Sequence, residues 1–550
     1  MSNRIFPALL LGVLIAFLVI IIAGPLVTLL LRSLHDRAGN WIGMANFGTF
    51  WASQALARAA WHSFTVAALT TLLTLALAFP YAFGLTRSRL RLTGMFRNVA
   101  QIPLLAPSLL PALSLVLLFG NQGVVRQVLM GHSIYGPIGI VLAEIFYTFP
   151  HALLILTTAL AVADARLYEA AQSLGAGPFR RFMTVTLPGA RYGLVMAAFV
   201  VFTLVITDFG IPAVLGGAYD VLATEVFEQV VGLQDFGMGA VVGLVLLLPA
   251  LLAFAAENWG ARRQNALLSV RATPYRPQPS TVADFCLFAF CSLVAVFLLA
   301  VMLMAVYASL VTFWPYNLHL SLRNYDFDRF DEQGWGSFTT SLQMAGWSAL
   351  LATLVTFSGA FLVEKFPAPG ALKAVIRFLA ILPLGIPGMV LGLAYILFFT
   401  LPANPLGGLY GTLALLILSN CAHFYSVGHL TAVTALKQLD SEFEAVSISL
   451  KVPLWRSFWQ VTVPLCLPAI LDIASYMFVN AMTTVSAMVF LTTPDHKPAS
   501  VAALNMDESG AVAAASAMAT LIACSSALAR LAHNLVTSRL LRRTQSWRAG

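Results

Sequence analysis

The sequence predicts an all-α integral membrane protein with about 12 transmembrane helices, arranged as two parallel six-helix repeats. Hydropathy, the distribution of positive charge and an internal repeat lead to this prediction. The chain of 550 residues is 59% hydrophobic and only 10% charged, whereas soluble domains contain roughly 25% charged residues. Its mean hydropathy is +0.85, and the apolar stretches recur along the whole length. We therefore expect many spans and no large soluble domain.

Each half contains about six apolar stretches that are long enough, at roughly 20 residues, to cross the hydrocarbon core as helices. The first stretch follows Arg4, and its length of about 25 residues exceeds the hydrophobic region of a signal peptide, so we interpret it as a membrane helix. The expected spans lie near residues 6–31, 61–85, 98–120, 134–162, 190–215, 237–257, 283–311, 341–362, 378–400, 410–436, 466–493 and 509–531.

Positive charge collects on one side of the membrane when the N-terminus is placed in the cytoplasm. That orientation puts 24 of the 31 Lys and Arg residues inside. The loop at about 208–236, which then faces outward, holds five acidic residues and no Lys or Arg. We expect both termini to be cytoplasmic, and the net charge of +8 reflects membrane topology rather than nucleic-acid binding.

The sequence contains no recognisable motif for nucleotide binding, catalysis or metal binding. No Gly-Lys pair is present, so the chain lacks the Walker A phosphate-binding motif and must rely on another subunit for any ATP hydrolysis. No catalytic cluster or metal-ligand spacing is found. The cysteines lie in or beside apolar spans, so we interpret them as small apolar residues: Cys286, Cys291, Cys421, Cys466 and Cys524.

An internal repeat relates the two halves of the chain. Because each half has an even number of spans, the second half enters the membrane in the same orientation, which makes the repeat parallel. We place the halves at 1–278 and 279–550, joined by a polar, proline-bearing cytoplasmic linker at 262–279. The matches are Asn46 with Asn324 and Ser63 with Ser341, shifted by 278, and Thr158–Leu160 with Thr434–Leu436 and Pro188 with Pro464, shifted by 276.

Two pairs of prolines fall inside equivalent predicted spans. Proline removes a helical hydrogen bond and bends the helix, and neighbouring helices can satisfy the freed carbonyls. The bends serve either helix shape alone or flexure during transport. The prolines are Pro103 and Pro107 in the third span and Pro383 and Pro387 in the ninth.

The segment 169–188, which follows the fourth span, reads like a piece of soluble protein. Its helix-forming start, Glu169-Ala-Ala-Gln-Ser-Leu, stops at Gly175, and Pro178 suits the first turn of a second helix. We predict two short helices joined by a bend. Small alanines and a carboxylate face a partner, while Phe179 and Phe182 can pack back onto the membrane helices.

A second segment of this kind occupies 444–464. Val446 replaces the third residue of the Glu-Ala-Ala start, and Lys451 stands about where the glycine belongs. This segment is one residue longer between its Glu444 and its final proline. A residue other than glycine with a positive φ carries a cost, so we expect an unequal pair of loops.

Both segments resemble the Glu-Ala-Ala loop of binding-protein-dependent ABC importer permeases. The resemblance implies the type I ABC importer permease fold (MetI-like) in a bacterial inner membrane. It also implies two copies of a separate ATPase that use ATP and Mg, a periplasmic substrate-binding protein, and no cofactor or nucleic acid on this chain. The residues that the resemblance assigns to ATPase docking are Glu169, Ala170, Ala171, Gly175, Pro178, Glu444, Ala445, Lys451 and Pro453.

Within this family, a fused chain of this size resembles the permeases for 2-aminoethylphosphonate and for ferric iron. The tracts 207–227 and 449–472 resemble the phosphonate permeases, so 2-aminoethylphosphonate is the expected substrate and ferric iron the alternative. An ion-coupled secondary transporter is the alternative from another class. It would share the repeat and the bent helices, but not the two loops.

Polar groups at membrane depth are candidates for the translocation path. Asp208 either lines or gates the translocation path or makes a contact at the end of its helix. The acid Glu144 and the imidazole His423, at similar depth, act either in a proton relay or as hydrogen-bonded groups. The acidic cluster 326–332 is either solvated or meets the binding protein. The path candidates are Asp208, Asn480, Thr483, Thr484 and Ser486.

Overall fold

The computed structural model describes residues 2–161, 164–267, 277, 281–366, 368–440, 442–450 and 452–544. Eight helices in these ranges are long and apolar enough to cross a membrane, and four bent helix pairs bring the number to 12 if each pair counts as one span. The predicted all-α membrane fold is therefore confirmed. The one sheet in the described residues is a short antiparallel pair, β1 (Val311–Phe313) and β2 (Asn317–Leu320).

The helices of the first half are α1 Ser2–Leu18, α2 Gly24–Ser33, α3 Ala45–Ala52, α4 Gln54–Arg87, α5 Thr93–Gln101, α6 Leu109–Phe119, α7 Pro137–Ala161, α8 Ala165–Ser173, α9 Pro178–Arg181, α10 Leu187–Thr207, α11 Gly210–Leu215, α12 Leu222–Phe227 and α13 Phe236–Leu267. One-turn π-helical segments lie at Val19–Ala23, Phe182–Thr186 and Glu228–Gly232.

The helices of the second half are α14 Thr281–Leu310, α15 Trp335–Lys365, α16 Gly370–Ile381, α17 Gly388–Phe399, α18 Leu413–His423, α19 Tyr425–Lys437, α20 Glu442–Ser449, α21 Leu454–Ser457, α22 Val463–Leu465, α23 Leu467–Thr483, α24 Ala499–Glu508 and α25 Val512–Thr544. A further π-helical turn lies at Phe458–Thr462.

Two compact units share the chain, and neither coincides with a half of the sequence. One unit contains 1–46, 326–505 and 521–550, and the other contains 47–325 and 506–520. In the first unit, the hydroxyl of Tyr395 donates to the carbonyl of Ile21 at 2.8 Å. In the second, the rings of Phe96 and Phe288 meet edge to face at 5.5 Å. The first membrane helix of each half therefore belongs to the unit built from the other half.

The division expected at residue 278 separates homologous halves of the sequence, which the two compact units do not follow, and it stays a prediction. A repeat identifies homologous residues, but it does not say which surfaces an apolar helix buries. The boundary itself and most of the expected linker lie outside the described residues, apart from Pro277 and the stretch 262–267, which ends α13.

At the paired prolines the spans are divided into two separate helices rather than bent within one helix. A 3-10 turn, Ile102–Leu105, separates α5 from α6, and Leu382–Gly385 separates α16 from α17. Pro103 and Pro383 stand at the start of these turns. The helix directions differ by 101° across the first break and by 116° across the second. Whether the breaks flex remains a prediction.

Equivalent hydrogen bonds confirm the repeat within each unit. The hydroxyl of Ser63 accepts from the backbone amide of Leu222, and that of Ser341 from Ala499, both at 2.7 Å. The side-chain amides of Asn46 and Asn324, which the repeat matches, likewise donate to carbonyls of the preceding segment.

Candidate functional site

The first loop has the predicted form of two short helices joined by a bend. The amide of Ala176 donates to the carbonyl of Ala171, and that of Gly175 donates to Gln172, both at 2.9 Å. Gly175 has a φ of +73°, so this is a Schellman-type helix end in which glycine takes the left-handed position. Pro178 opens α9, where its missing N–H has no helical partner to lose.

The inner side of this loop is anchored to the membrane helices. Tyr168 of α8 is buried, and its hydroxyl lies 2.9 Å from that of Thr186. The guanidinium of Arg87, at the end of α4, lies 5.0 Å over the ring of Tyr168. The ring of Phe182 packs edge-on against Phe79 and Phe83 of α4, at 6.0 and 5.9 Å. The loop is therefore tied to α4 at two points.

The outer side of the loop is exposed and carries two large apolar side chains. Leu174 is 85% exposed and Phe179 is 74% exposed, while Glu169 and Ala170 are also exposed. The expectation that Phe179 packs back onto the bundle was wrong, because Phe182 alone fills that position. Sequence reasoning missed Leu174; the signal was a large apolar residue directly before the bend glycine.

The second loop follows the first at a constant shift of 276 residues. The amides of Leu450 and Val452 donate to Val446 and Ser447 at 2.9 Å, which matches the bonds of Leu174 and Ala176. The ring of Phe458 packs against Phe357 and Phe361 of α15, at 5.9 and 4.7 Å, as Phe182 does against α4. The second loop therefore has the same length and anchor as the first.

This register corrects the expected one-residue difference between the loops. At a shift of 276, Ala445 is the counterpart of Glu169, and Glu444 is the counterpart of Tyr168. Lys451, which aligns with Gly175, lies outside the described residues, and the side chains of Glu444 and Ala445 are not described. Pro453 is half-buried in the turn before α21.

The same two positions are exposed in both loops. Leu450 is 70% exposed and Trp455 is 64% exposed, and they correspond to Leu174 and Phe179. Phe179 and Trp455 stand in the first turn of helices that continue into candidate spans, whereas Leu174 and Leu450 precede those helices. Large exposed apolar side chains grouped in this way indicate a surface for a protein partner. We call these four residues the loop apolar pairs.

Asp208 makes the helix-end contact that the sequence left open. Its carboxylate accepts from the amide of Ile211 at 2.8 Å and from the hydroxyl of Ser108. It thereby caps α11, which follows the break at the end of α10. A role in the translocation path stays a prediction.

The other path candidates belong to the unit that contains 326–505. Asn480 and Thr483 both donate to carbonyls of their own helix, α23, at 2.8 and 3.0 Å. The carbonyl of Thr484 accepts from Ser500. A Cβ at Gly388 would collide with the hydroxyl of Ser486, so the chain passes close to α17 at this point.

Glu144 and His423 are not equivalent positions. The shift of 276 pairs Glu144 with Asn420, and His423 with Tyr147. Glu144 is completely buried, and neither carboxylate oxygen has a hydrogen-bond partner among the described residues. The expectation that such a group is satisfied by its neighbours was therefore wrong for Glu144.

The acidic cluster contains a buried ion pair. The ammonium of Lys497 lies 2.7 Å from the carboxylate of Asp331, with side-chain exposures of 16% and 3%. Gln333 strengthens this contact by accepting from the backbone amide of Lys497 at 3.2 Å. Asp326 and Arg329 form a separate, exposed pair. Asp331 is thus neither solvated nor free for a partner.

One further acid outside the spans was not singled out by sequence. Burial raises the pKa of Asp507, near the end of α24, to about 6, and the neighbouring charge of Glu508 acts in the same direction. Its counterpart region in the first half contains Glu225, whose pKa is raised chiefly by burial.

Comparison with known proteins agrees with this architecture. Repeated bent spans and two equivalent loops define a multi-pass membrane protein built from two similar halves. The family described as "Binding-protein-dependent transport system inner membrane component" matches residues 75–265 and 356–542. The chain belongs to this family.

Two relatives are similar over most of the chain. "Ferric transport system permease protein FbpB" of Actinobacillus pleuropneumoniae is 29% identical over 449 residues, covering 78% of this chain and 64% of that protein. "Putative ferric transport system permease protein FbpB 1" of Haemophilus influenzae is 29% identical over 479 residues, covering 83% and 75%. The match thus spans just under two thirds of the Actinobacillus protein.

A solved structure of a bacterial alginate ABC transporter, in complex with an alginate pentasaccharide-bound periplasmic protein, is also similar. It is 18% identical with a TM-score of 0.39, and the match covers 47% of this chain and 94% of that chain.

Proposed function

We propose that this chain is the permease of an ATP-driven ABC importer and that its two halves form the path for a small solute. A periplasmic binding protein delivers that solute. The observation that carries the proposal is the repeated loop, which exposes Leu174 and Phe179 in one half and Leu450 and Trp455 in the other. Membership of the family supports it.

The partners of the loop apolar pairs are two copies of a separate ATPase subunit. Two loops of the same geometry call for two similar partners. The chain lacks a Walker A motif, so it acts as a transport subunit while the ATPase binds ATP and Mg. Both loops and both termini then lie on the cytoplasmic side.

The anchors of the loops explain how ATP-driven movement reaches the membrane. Phe182 packs on α4 and Phe458 packs on α15, so a displaced loop pulls on a long membrane helix. Packed interiors transmit such displacements because they have low compressibility.

Ferric iron is the substrate that the comparisons favour, since both relatives above carry that name. The second candidate is 2-aminoethylphosphonate. It rests on the tracts 207–227 and 449–472, which resemble the phosphonate permeases.

Docking can be tested by co-purification with the co-expressed ATPase. The variants L174S/F179A and L450S/W455A should each lose ATPase binding while thermal stability is unchanged, because these side chains contact little else. Val128→Ser is a matched control, since Val128 is exposed on the expected outer side. Wild-type ATPase binding by both loop variants would contradict the docking assignment.

Substrate choice requires proteoliposomes that contain the chain, the ATPase and the binding protein. We expect ATP-dependent uptake of labelled ferric iron; uptake of labelled 2-aminoethylphosphonate instead would select the second candidate. Uptake that runs on an ion gradient without ATP or partners would show a secondary transporter.

A further inference from the structure

Glu144 is a buried acid that the proposed function does not use. It lies about two turns into α7, its exposure is 0%, and both of its oxygens lack a hydrogen-bond partner among the described residues. An ionised carboxylate without a partner is strongly disfavoured in a protein interior. Such a group therefore requires a counter-charge or a proton.

A second acid of the same unit acts on this carboxyl. The carboxyl of Glu144 interacts electrostatically with that of Asp208, which is held by the amide of Ile211 at 2.8 Å and by the hydroxyl of Ser108. Two like charges in one low-dielectric site cannot both stay ionised without compensation.

Basic side chains on the surrounding helices are engaged elsewhere or exposed. On α4, His62 bonds the carbonyl of Asp220 and Arg87 bonds that of Leu160, while Tyr81 donates to Phe96. On α7 itself, the rings of Tyr147 and His151 are tilted by 57° with their centroids 5.9 Å apart. Nδ1 of His151 has no hydrogen-bond partner among the described residues, but His151 stands seven residues, about two helical turns, beyond Glu144. Arg58 of α4, Arg97 of α5, and Arg191 of α10 are exposed, Tyr192 of α10 is half-buried, and α6 and α11 carry no titratable residue.

The second half lacks this acid pair. The shift of 276 places Asn420 at the position of Glu144 and Thr484 at that of Asp208. The Asn420 side chain is buried beside the sulfur of Met488 at 3.9 Å. Neutral residues therefore occupy the equivalent positions in the second half, which shows that the fold can be packed there without the two acids.

We propose that Ser108, Glu144 and Asp208 form a binding site for one small monovalent cation, either a proton or an alkali metal ion. One positive charge compensates one carboxylate, and the donors to Asp208 stabilise the other. A trivalent iron ion needs more ligands, and the described residues contain no group of three or more His, Cys, Asp or Glu side chains that could hold a metal ion. The site is thus separate from a ferric substrate.

Occupancy of this site has a conformational consequence. Asp208 lies at the break between α10 and α11, whereas Glu144 lies within α7. A cation shared by the two acids holds the break against α7, and its loss leaves two repelling carboxylates that favour separation.

The test uses the purified full-length chain without partners, so its outcome is independent of the proposed import function. Infrared spectroscopy at neutral pH should show the carbonyl band of a protonated carboxylic acid that Glu144→Gln removes. The matched control Glu225→Gln should retain this band, because Glu225 is a buried acid with its own partner, Gln229. Asp208→Asn keeps the cap on α11 and should shift the band.

Sodium titration distinguishes the two cations. If sodium abolishes the band, or if sodium raises the melting temperature of the wild type but not of Glu144→Gln, the ligand is an alkali ion. If the band persists at every sodium concentration, the ligand is a proton. Absence of both the band and a sodium response would overturn the proposal.

Discussion

At the scale of single residues, one backbone angle sets the turn of the first loop. Gly175 has a φ of +73°, and no atom lies within 4 Å of the position that a Cβ would take, so a side chain there meets strain but no collision. The sequence predicted this glycine as a helix end from its place after a helix-forming run. It could not show that Leu174, one residue earlier, stays exposed.

Gly175→Ala should weaken ATPase binding roughly fivefold, because the left-handed conformation costs an L-residue about 1 kcal/mol. The measurement is the affinity of the purified ATPase for the chain in nanodiscs. Gly177→Ala is the control, since Gly177 has a φ of −67° and should bind as the wild type does. Equal losses in the two variants would refute the role of the backbone angle.

The ion pair between Asp331 and Lys497 allows a second prediction. Asp331→Asn leaves the buried ammonium uncompensated and should destabilise the protein by about 3 kcal/mol. Asp326→Asn, in the exposed pair with Arg329, should change stability by roughly 0–1 kcal/mol. Thermal unfolding measures both, and similar shifts would argue against a special role for the buried pair.

At the scale of elements, prolines marked the positions of the broken spans but not their angles. A proline removes a hydrogen bond locally, whereas the angle between the resulting segments depends on what each segment packs against. The sequence therefore predicted a kink at Pro103 and Pro383, and the structure shows changes of direction of 101° and 116°.

The equivalent serine bonds predict equal effects in the two halves. Ser63→Ala and Ser341→Ala each leave a buried helix-start amide unsatisfied, so each should cost about 1–3 kcal/mol of stability. Ser358→Ala is the control, because its hydroxyl bonds a carbonyl of its own helix. A large effect in one half and none in the other would show that the repeat does not extend to these contacts.

At the scale of the whole molecule, membrane orientation is the property that charge alone predicts. Single cysteines at positions 174 and 450, introduced into a cysteine-free chain, should react with a membrane-impermeant maleimide only after permeabilisation of the cells. A cysteine at position 128 should react in intact spheroplasts. The reverse pattern would show that the cytoplasmic assignment of the loops is inverted.

The sequence by itself determined the membrane class, the parallel repeat and the two-helix form of the loops, since hydropathy, charge and glycine or proline placement act locally along the chain. Only the tertiary structure decided that the first helix of each half joins the other unit, that Glu444 is out of register with Glu169, and that Glu144 is buried with no hydrogen-bond partner among the described residues. These features depend on which surfaces meet, and residues far apart in sequence carry no local signal of their contact.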